Sequence, residues 1–210
     1  RLTMKILAVD IGTGTQDILL FDSSKIIENC VKMIMPAPTV IAAHRIWEST
    51  KARKPVAISG VNMGGGPVTE AVKRHIQAGL PAYATVQAAT TFDDDMDMVT
   101  RMGVSLLDRD QLSELHDAIH VELKDLDLSM ITHALHTFGV ETDFDATAVA
   151  VFDHGNAPPG YSDRRFRFDH LRLQTTSGKS SIYDFCYLSN EVPYYMTRMR
   201  SLTESVEANF

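Results

Sequence analysis

Cysteine is scarce in this sequence: Cys30 and Cys186 are the only two among 210 residues. Standing so far apart, they cannot build a disulfide framework or a cysteine-rich metal site, and a reducing cytoplasm is the expected compartment. Long apolar runs are also missing, since none approaches the roughly 20 residues needed to span a bilayer. No secretory pattern opens the chain, and Arg1-Leu2-Thr3 before Met4 reads as an upstream remnant. Positive charge is in deficit. The 20 Lys and Arg residues against 27 Asp and Glu leave a net charge of −7, which argues against a general nucleic-acid binder. Arg164, Arg165, Arg167 and Arg172 form the one basic concentration, but Asp163 and Asp169 interrupt it, as on a solvated face. There is no G-x-S-x-G elbow and no convincing Rossmann fingerprint. Ser177-Gly178-Lys179-Ser180 ends like a phosphate loop, yet Leu173 stands where that loop needs its first glycine.

What remains is an ordinary globular composition, 44% hydrophobic and 22% charged, in a chain long enough to bury a substantial core. Lys5–Asp10 and Asp17–Asp22 are apolar runs closed by acids, with a polar, glycine-containing turn between them, which predicts a hairpin. Lys32–Met35 predicts a third strand stopped by Pro36 and Pro38. Thr39 is the expected cap of a helix carrying Val40, Ile41, His44, Ile46 and Trp47. Val56–Gly60 predicts a strand that ends at the loop Met63-Gly64-Gly65-Gly66-Pro67, and Pro67 suits the first position of a helix stopped by Gly79. Ala82–Val86 predicts a strand, and Thr91 the cap of a short helix through Phe92-Asp93-Asp94-Asp95. Further on, His120–Leu126 alternates like a strand, and Leu128–Phe138 has helical spacing up to Gly139. Thr147–Phe152 reads as an interior strand, Arg165–Leu173 as another, and Pro193–Val206 as a final helix. Three leading strands followed by alternation predict a mixed sheet with helices on both faces.

The turn Asp10-Ile11-Gly12-Thr13-Gly14-Thr15 carries the clearest chemistry. A polyphosphate needs inward backbone N–H groups with no side chain in the way, which glycine permits, and threonine hydroxyls add donors. Mg²⁺ keeps most of its waters and needs a nearby carboxylate to hold them. Asp10, Gly12, Thr13, Gly14 and Thr15 supply all three.

The whole segment Asp10–Asp22 resembles the first phosphate motif of the actin, Hsp70 and sugar-kinase superfamily. Ile58–Gly65 is similar to the loop after the following strand in sugar kinases. That resemblance implies an α/β fold with a ribonuclease H-like mixed sheet and flanking helices, the first lobe of an actin-like ATPase. The lobe would cover residues 4–103, and residues 104–210 would form a smaller α+β extension or insertion; the second lobe is not found in this chain. It also implies ATP with Mg²⁺ as cofactors. Asp10 would orient the metal through water, Gly12, Thr13, Gly14 and Thr15 would contact phosphate, and Gly64, Gly65 and Gly66 would face the cleft. Asp17 departs from the lysine often found there in sugar kinases. A closer resemblance rests on Asp10–Asp22, Met63–Pro67 and Asp153–Pro158. These stretches are similar to a prokaryotic family of unknown function whose members carry the label of a pyruvate formate-lyase activating enzyme. Such activases hold an iron–sulfur cluster with three closely spaced cysteines, so the two cysteines of this chain oppose the label.

Other clusters have simpler readings. Asp93, Asp94, Asp95 and Asp97 complement a helix N-terminus and lack calcium-loop spacing. His116 and His120 are four apart, but no glutamate base follows the first; His133 and His136 read as neighbours on a helix. Asp153 and His154, at the end of an apolar run, could do acid–base work or hold a metal, and are the candidate catalytic pair of a metal-dependent hydrolase. The expected function is thus an ATP- or phosphate-binding protein, with phosphotransfer as its reaction if it is an enzyme. A nucleotide-sensing or assembly module is the alternative, beside the hydrolase. The expected partner is a nucleotide or other phosphorylated small molecule, with neither nucleic acid nor membrane; a homodimer stays open.

Overall fold

A computed structural model describes residues 3–153, 155–158, 160–176 and 181–207. The chain divides into two compact units, Arg1–Val151 and Phe152–Phe210. The first unit holds two four-stranded sheets where one had been expected.

The first sheet opens with β1 (Lys5–Ile11), β2 (Thr15–Asp22) and β3 (Val31–Pro36), an antiparallel meander. Its fourth strand, β8 (Ala146–Val151), pairs parallel with β1, giving the order β3-β2-β1-β8. The expected hairpin is present. Pro36 is the last residue of β3, tolerated because β3 is an edge strand with no further neighbour needing its N–H. β8 had been expected as an interior strand. It lies at the other edge, and its residues alternate exposed and half-buried.

Between these strands runs a parallel α/β segment: α1 (Pro38–Lys51), β4 (Val56–Gly60), α2 (Gly66–Gln77), β5 (Ala82–Ala84), α3 (Val86–Ala89), α4 (Met96–Met102), β6 (Val104–Leu106), α5 (Arg109–Ser113), β7 (Ile119–Leu123) and α6 (Leu128–Thr137). Its sheet has the order β6-β5-β4-β7. All three pairings are parallel. Val56, Ala57 and Ile58 of β4 are fully buried, as expected of a central parallel strand. The core around them takes Ala42 and Ile46 from α1, Val68 and Val72 from α2, Val99 from α4 and Val121 and Leu123 from β7.

Several boundaries shift for local reasons. α1 starts one residue before Thr39: Ala37 is its N-cap, Pro38 fills the first helical position, and Thr39 is buried in the first turn. α2 begins at Gly66, with Pro67 second. Thr85 ends β5 early because its side chain accepts the Ala88 N–H and caps α3. Asp95, not Thr91, caps α4, through the Asp97 N–H. Strand β6 and helix α5 had no counterpart in the sequence reading, being only 3 and 5 residues long.

In the second unit the largest correction is α7 (Asp163–Thr176), a helix where Arg165–Leu173 had suggested a strand. Two apolar pairs each spaced two apart, Phe166 with Phe168 and Leu171 with Leu173, give the false strand signal. The half-buried positions are Phe166, Arg167, His170, Leu171 and Gln174, which is helical spacing. The last element among the described residues is α8 (Thr197–Glu207). No helix among the described residues is long and apolar enough to cross a membrane.

Buried His75 ties α2 into this core. It is fully shielded, with Nδ1 2.8 Å from Thr50 Oγ1 and Nε2 3.0 Å from the Pro81 carbonyl. In the neutral tautomer that these partners select, Nε2–H donates to Pro81 and Nδ1 accepts from Thr50. Burial lowers its pKa, with the Pro81 bond partly opposing. The unfolded chain therefore binds the proton more readily, so the stabilising contribution is present above about pH 6.5 and is lost as pH falls through and below it. The expected outcome is a urea midpoint that drops between about pH 7.5 and about pH 5.5 by more in the wild type than in His75→Gln. Parallel curves for the two would refute it.

Candidate site at the ends of two sheets

β1 and β2 are in register from Lys5↔Asp22 to Ile11↔Gln16, so the turn is held at a ladder end. The bond from Gly12 N–H to the Thr15 carbonyl (2.9 Å) extends that ladder. Gly12's amide is therefore spent internally. Gly14's carbonyl accepts the Ala37 N–H (3.0 Å), which ties the turn to the start of α1. Among the described residues the amides of Thr13 and Gly14 donate to no other group, and residues 12–15 are all exposed. A Cβ at Gly14 would meet nothing within 4 Å. The tip of the turn is open, with two unspent donors.

Asp10 is exposed at the penultimate position of β1, on the face opposite buried Leu7, Val9 and Ile11. Its register partner is Asp17, also exposed. Two carboxylates opposite one another on neighbouring strands repel each other unless a cation stands between them. Thr15 Oγ1 donates to Asp17 Oδ2 (3.5 Å).

The glycine loop is brought to the same place. A Cβ added to Gly66 would stand 3.7 Å from Thr13 Cγ2, so the start of α2 lies beside the tip of the turn. Gly65, the N-cap of α2, receives no side-chain cap, and the positive end of the 12-residue helix opens here. The loop is clamped from behind. Thr91 Oγ1 accepts the Met63 N–H (3.1 Å), and the Thr91 carbonyl would be 2.3 Å from a Cβ at Gly65. Asp125 Oδ1 accepts the Gly64 N–H (3.2 Å) from a position only 2% exposed. Gly64's amide thus turns toward Asp125, while Gly66 faces the turn. Strand order reverses between β4 and β7, and parallel sheets form ligand crevices at the carboxyl ends of such strands. Asp125 and Thr91 were missed as site residues. Asp125 falls inside the alternating run His120–Leu126, which predicts a strand; β7 ends at Leu123 and leaves Asp125 beyond the strand.

The remaining candidates lie elsewhere. In the second unit Asp153 Oδ1 accepts the Gly155 N–H (2.8 Å) and Oδ2 the Met199 N–H in the first turn of α8 (2.9 Å). Both oxygens of this carboxylate hold backbone. His154 lies outside the described residues, as do Ser177–Ser180. His170, which the sequence reading did not single out, has its pKa lowered by burial and partly restored by Asp153; its Nδ1 is 3.3 Å from Tyr195 Oη. His120 Nε2 lies 3.2 Å from the Leu115 carbonyl, and His136 Nε2 pairs with Thr142 Oγ1 (2.8 Å). Asp95 accepts the Asp97 N–H at the start of α4, the helix-start role expected of this cluster, whereas Asp93 accepts the Asp95 N–H ahead of the helix. Among the described residues no group of three or more His, Cys, Asp or Glu side chains could hold a metal.

A family model described as "Putative pyruvate format-lyase activating enzyme (DUF1786)" matches residues 63–210, and the chain belongs to that family. The match begins at the glycine loop and leaves the Asp10–Thr15 turn outside it. No curated protein and no solved structure matches the chain. The activase description finds no support in the thiols: Cys30 is buried, Cys186 is exposed, and two cysteines cannot supply the three thiolates of such a cluster.

Proposed function

We propose that this chain binds a polyphosphate together with its divalent cation, as ATP and Mg²⁺ are bound by the actin-like and sugar-kinase superfamily, whose first lobe Asp10–Asp22 resembles. The observation that carries the reading is the meeting of Thr13 with Gly66, which sets two unspent amides of a hairpin tip against an uncapped helix N-terminus. Backbone N–H groups and a helix dipole converging on one exposed point favour an anion with several oxygens. Asp10, with Asp17 opposite, would hold the cation through its water shell. What such a site would supply to phosphotransfer is alignment and charge neutralisation.

Calorimetric titration of the full chain with Mg-ATP tests this. Saturable binding that needs Mg²⁺ and weakens at least about tenfold in Asp10→Asn is expected, the loss of one charge-assisted contact. A flat titration, or binding indifferent to both Mg²⁺ and Asp10, overturns the proposal.

A further inference from the structure

On the far face of β2 from Asp17, the first unit contains a hollow, independent of the polyphosphate reading. Gln16, Arg45, Glu122, Lys124, Asp127 and Met130 line it, and it has a cavity volume of about 50 Å³ beneath an open mouth. That is space for about three to five waters.

Its lining gathers polar and charged groups from β2, α1, β7 and the start of α6. Lys124 Nζ is shared between Glu122 Oε2 (3.2 Å) and Asp127 Oδ2 (3.0 Å). The two acids hold it charged: burial lowers its pKa, but the bonds to Asp127 and Glu122 outweigh that and the net shift is upward. Asp127 is further occupied by Ser129 Oγ (2.6 Å) and the Met130 N–H (3.0 Å), as the cap of α6. Arg45, exposed on α1, makes no ion pair among the described residues. Its planar fork is a bidentate carboxylate receptor. Gln16 is only 4% exposed and donates through Nε2 to the Pro36 carbonyl (3.0 Å), which leaves the acceptor Oε1 as its second polar atom. The lining charges sum to zero, Arg45 and Lys124 against Glu122 and Asp127.

The geometry points to a binding site for a short hydroxylated monocarboxylate of about three carbons, part of which stays in the open mouth, because the hollow itself encloses only about three to five non-hydrogen atoms. Arg45 takes the carboxylate. Gln16 Oε1 and the second oxygen of Glu122 accept its hydroxyls. Ile41, Ala42 and Met130 cover the carbon chain. Inorganic phosphate, which at neutral pH carries more negative charge than a monocarboxylate, is disfavoured by the two carboxylates, and an uncharged polyol leaves Arg45 unused.

The test is NMR of the full chain carrying ¹³C-methyl methionine, titrated with glycerate. The Met130 methyl is expected to shift saturably, with a Kd near or below about 1 mM, while buried Met63 stays in place. Arg45→Ala, at an exposed position that the fold does not need, is expected to weaken binding at least tenfold with the other methionine signals unchanged. No Met130 shift at about 10 mM glycerate, an equal response to glycerol or phosphate, or unaltered binding by Arg45→Ala each overturns the assignment. None of these readouts depends on Mg-ATP, so failure here is distinguishable from failure of the polyphosphate site.

Discussion

Gly60→Ala is expected to destabilise the first unit by about 3 kcal/mol or more, combining left-handed backbone strain with an unrelieved overlap. Gly60 ends β4 with φ +101°, where the chain leaves the sheet toward the glycine loop. A Cβ there would lie 2.2 Å from the Leu123 carbonyl oxygen, 2.6 Å from its nitrogen and 2.9 Å from its carbonyl carbon. All three atoms are backbone of the neighbouring strand, so no rotamer change relieves the clash. β4 and β7 must separate at the point where Val61 N–H reaches the Leu123 carbonyl (2.9 Å). Gly79→Ala is the matched control: its φ is +76° but a Cβ meets nothing within 4 Å, so only the backbone cost of about 1 kcal/mol remains. Urea denaturation measures both. A Gly60→Ala midpoint equal to that of Gly79→Ala would show that β7 yields freely, contrary to its fully buried Val121 and Leu123. Since small proteins hold only about 5–15 kcal/mol of stability, the larger loss is readily visible.

The parts of this fold legible in the sequence are those set by local chemistry. The β1–β2 hairpin follows from two apolar runs around a glycine turn, and α2 from Gly-Pro ahead of Val68 and Val72. The partition into two sheets was not legible, because strand partners are chosen by long-range packing that leaves no periodic trace. β8 pairs with β1 from the far end of the unit, as Ile6↔Ala146 through Ile11↔Val151. The helix α7 was hidden for a different reason. Its two phenylalanines and its two leucines each stand two apart by accident, while its half-buried positions include the polar Arg167, His170 and Gln174, which a hydrophobic count ignores. At the site, glycine signalled the turn and the loop, but only the fold brings Gly66 beside Thr13. Asp125 was invisible as a partner because its role is fixed by the loop it clamps.

That juxtaposition separates folding from binding in two adjacent glycines. Gly66→Ala places its Cβ 3.7 Å from Thr13 Cγ2, an ordinary van der Waals contact, at the first position of a helix where alanine is the better helix former by up to about 1 kcal/mol. The variant should fold as well as the wild type. Yet the new methyl group occupies the gap between the hairpin tip and the helix start, where the proposed anion must approach the Thr13 and Gly14 amides. Loss of one such approach costs about 1.5–3 kcal/mol for a charged hydrogen bond, so Mg-ATP affinity is expected to fall about tenfold or more. Gly65→Ala behaves differently, since its Cβ would lie 2.3 Å from the Thr91 carbonyl oxygen and 3.2 Å from Thr69 Oγ1. It must displace the loop itself and should lower both the melting temperature and the affinity. Calorimetry and thermal unfolding of the two variants, side by side, test the assignment. If Gly66→Ala keeps full affinity, the anion does not enter between Thr13 and α2, and the cradle has been placed on the wrong side of the turn.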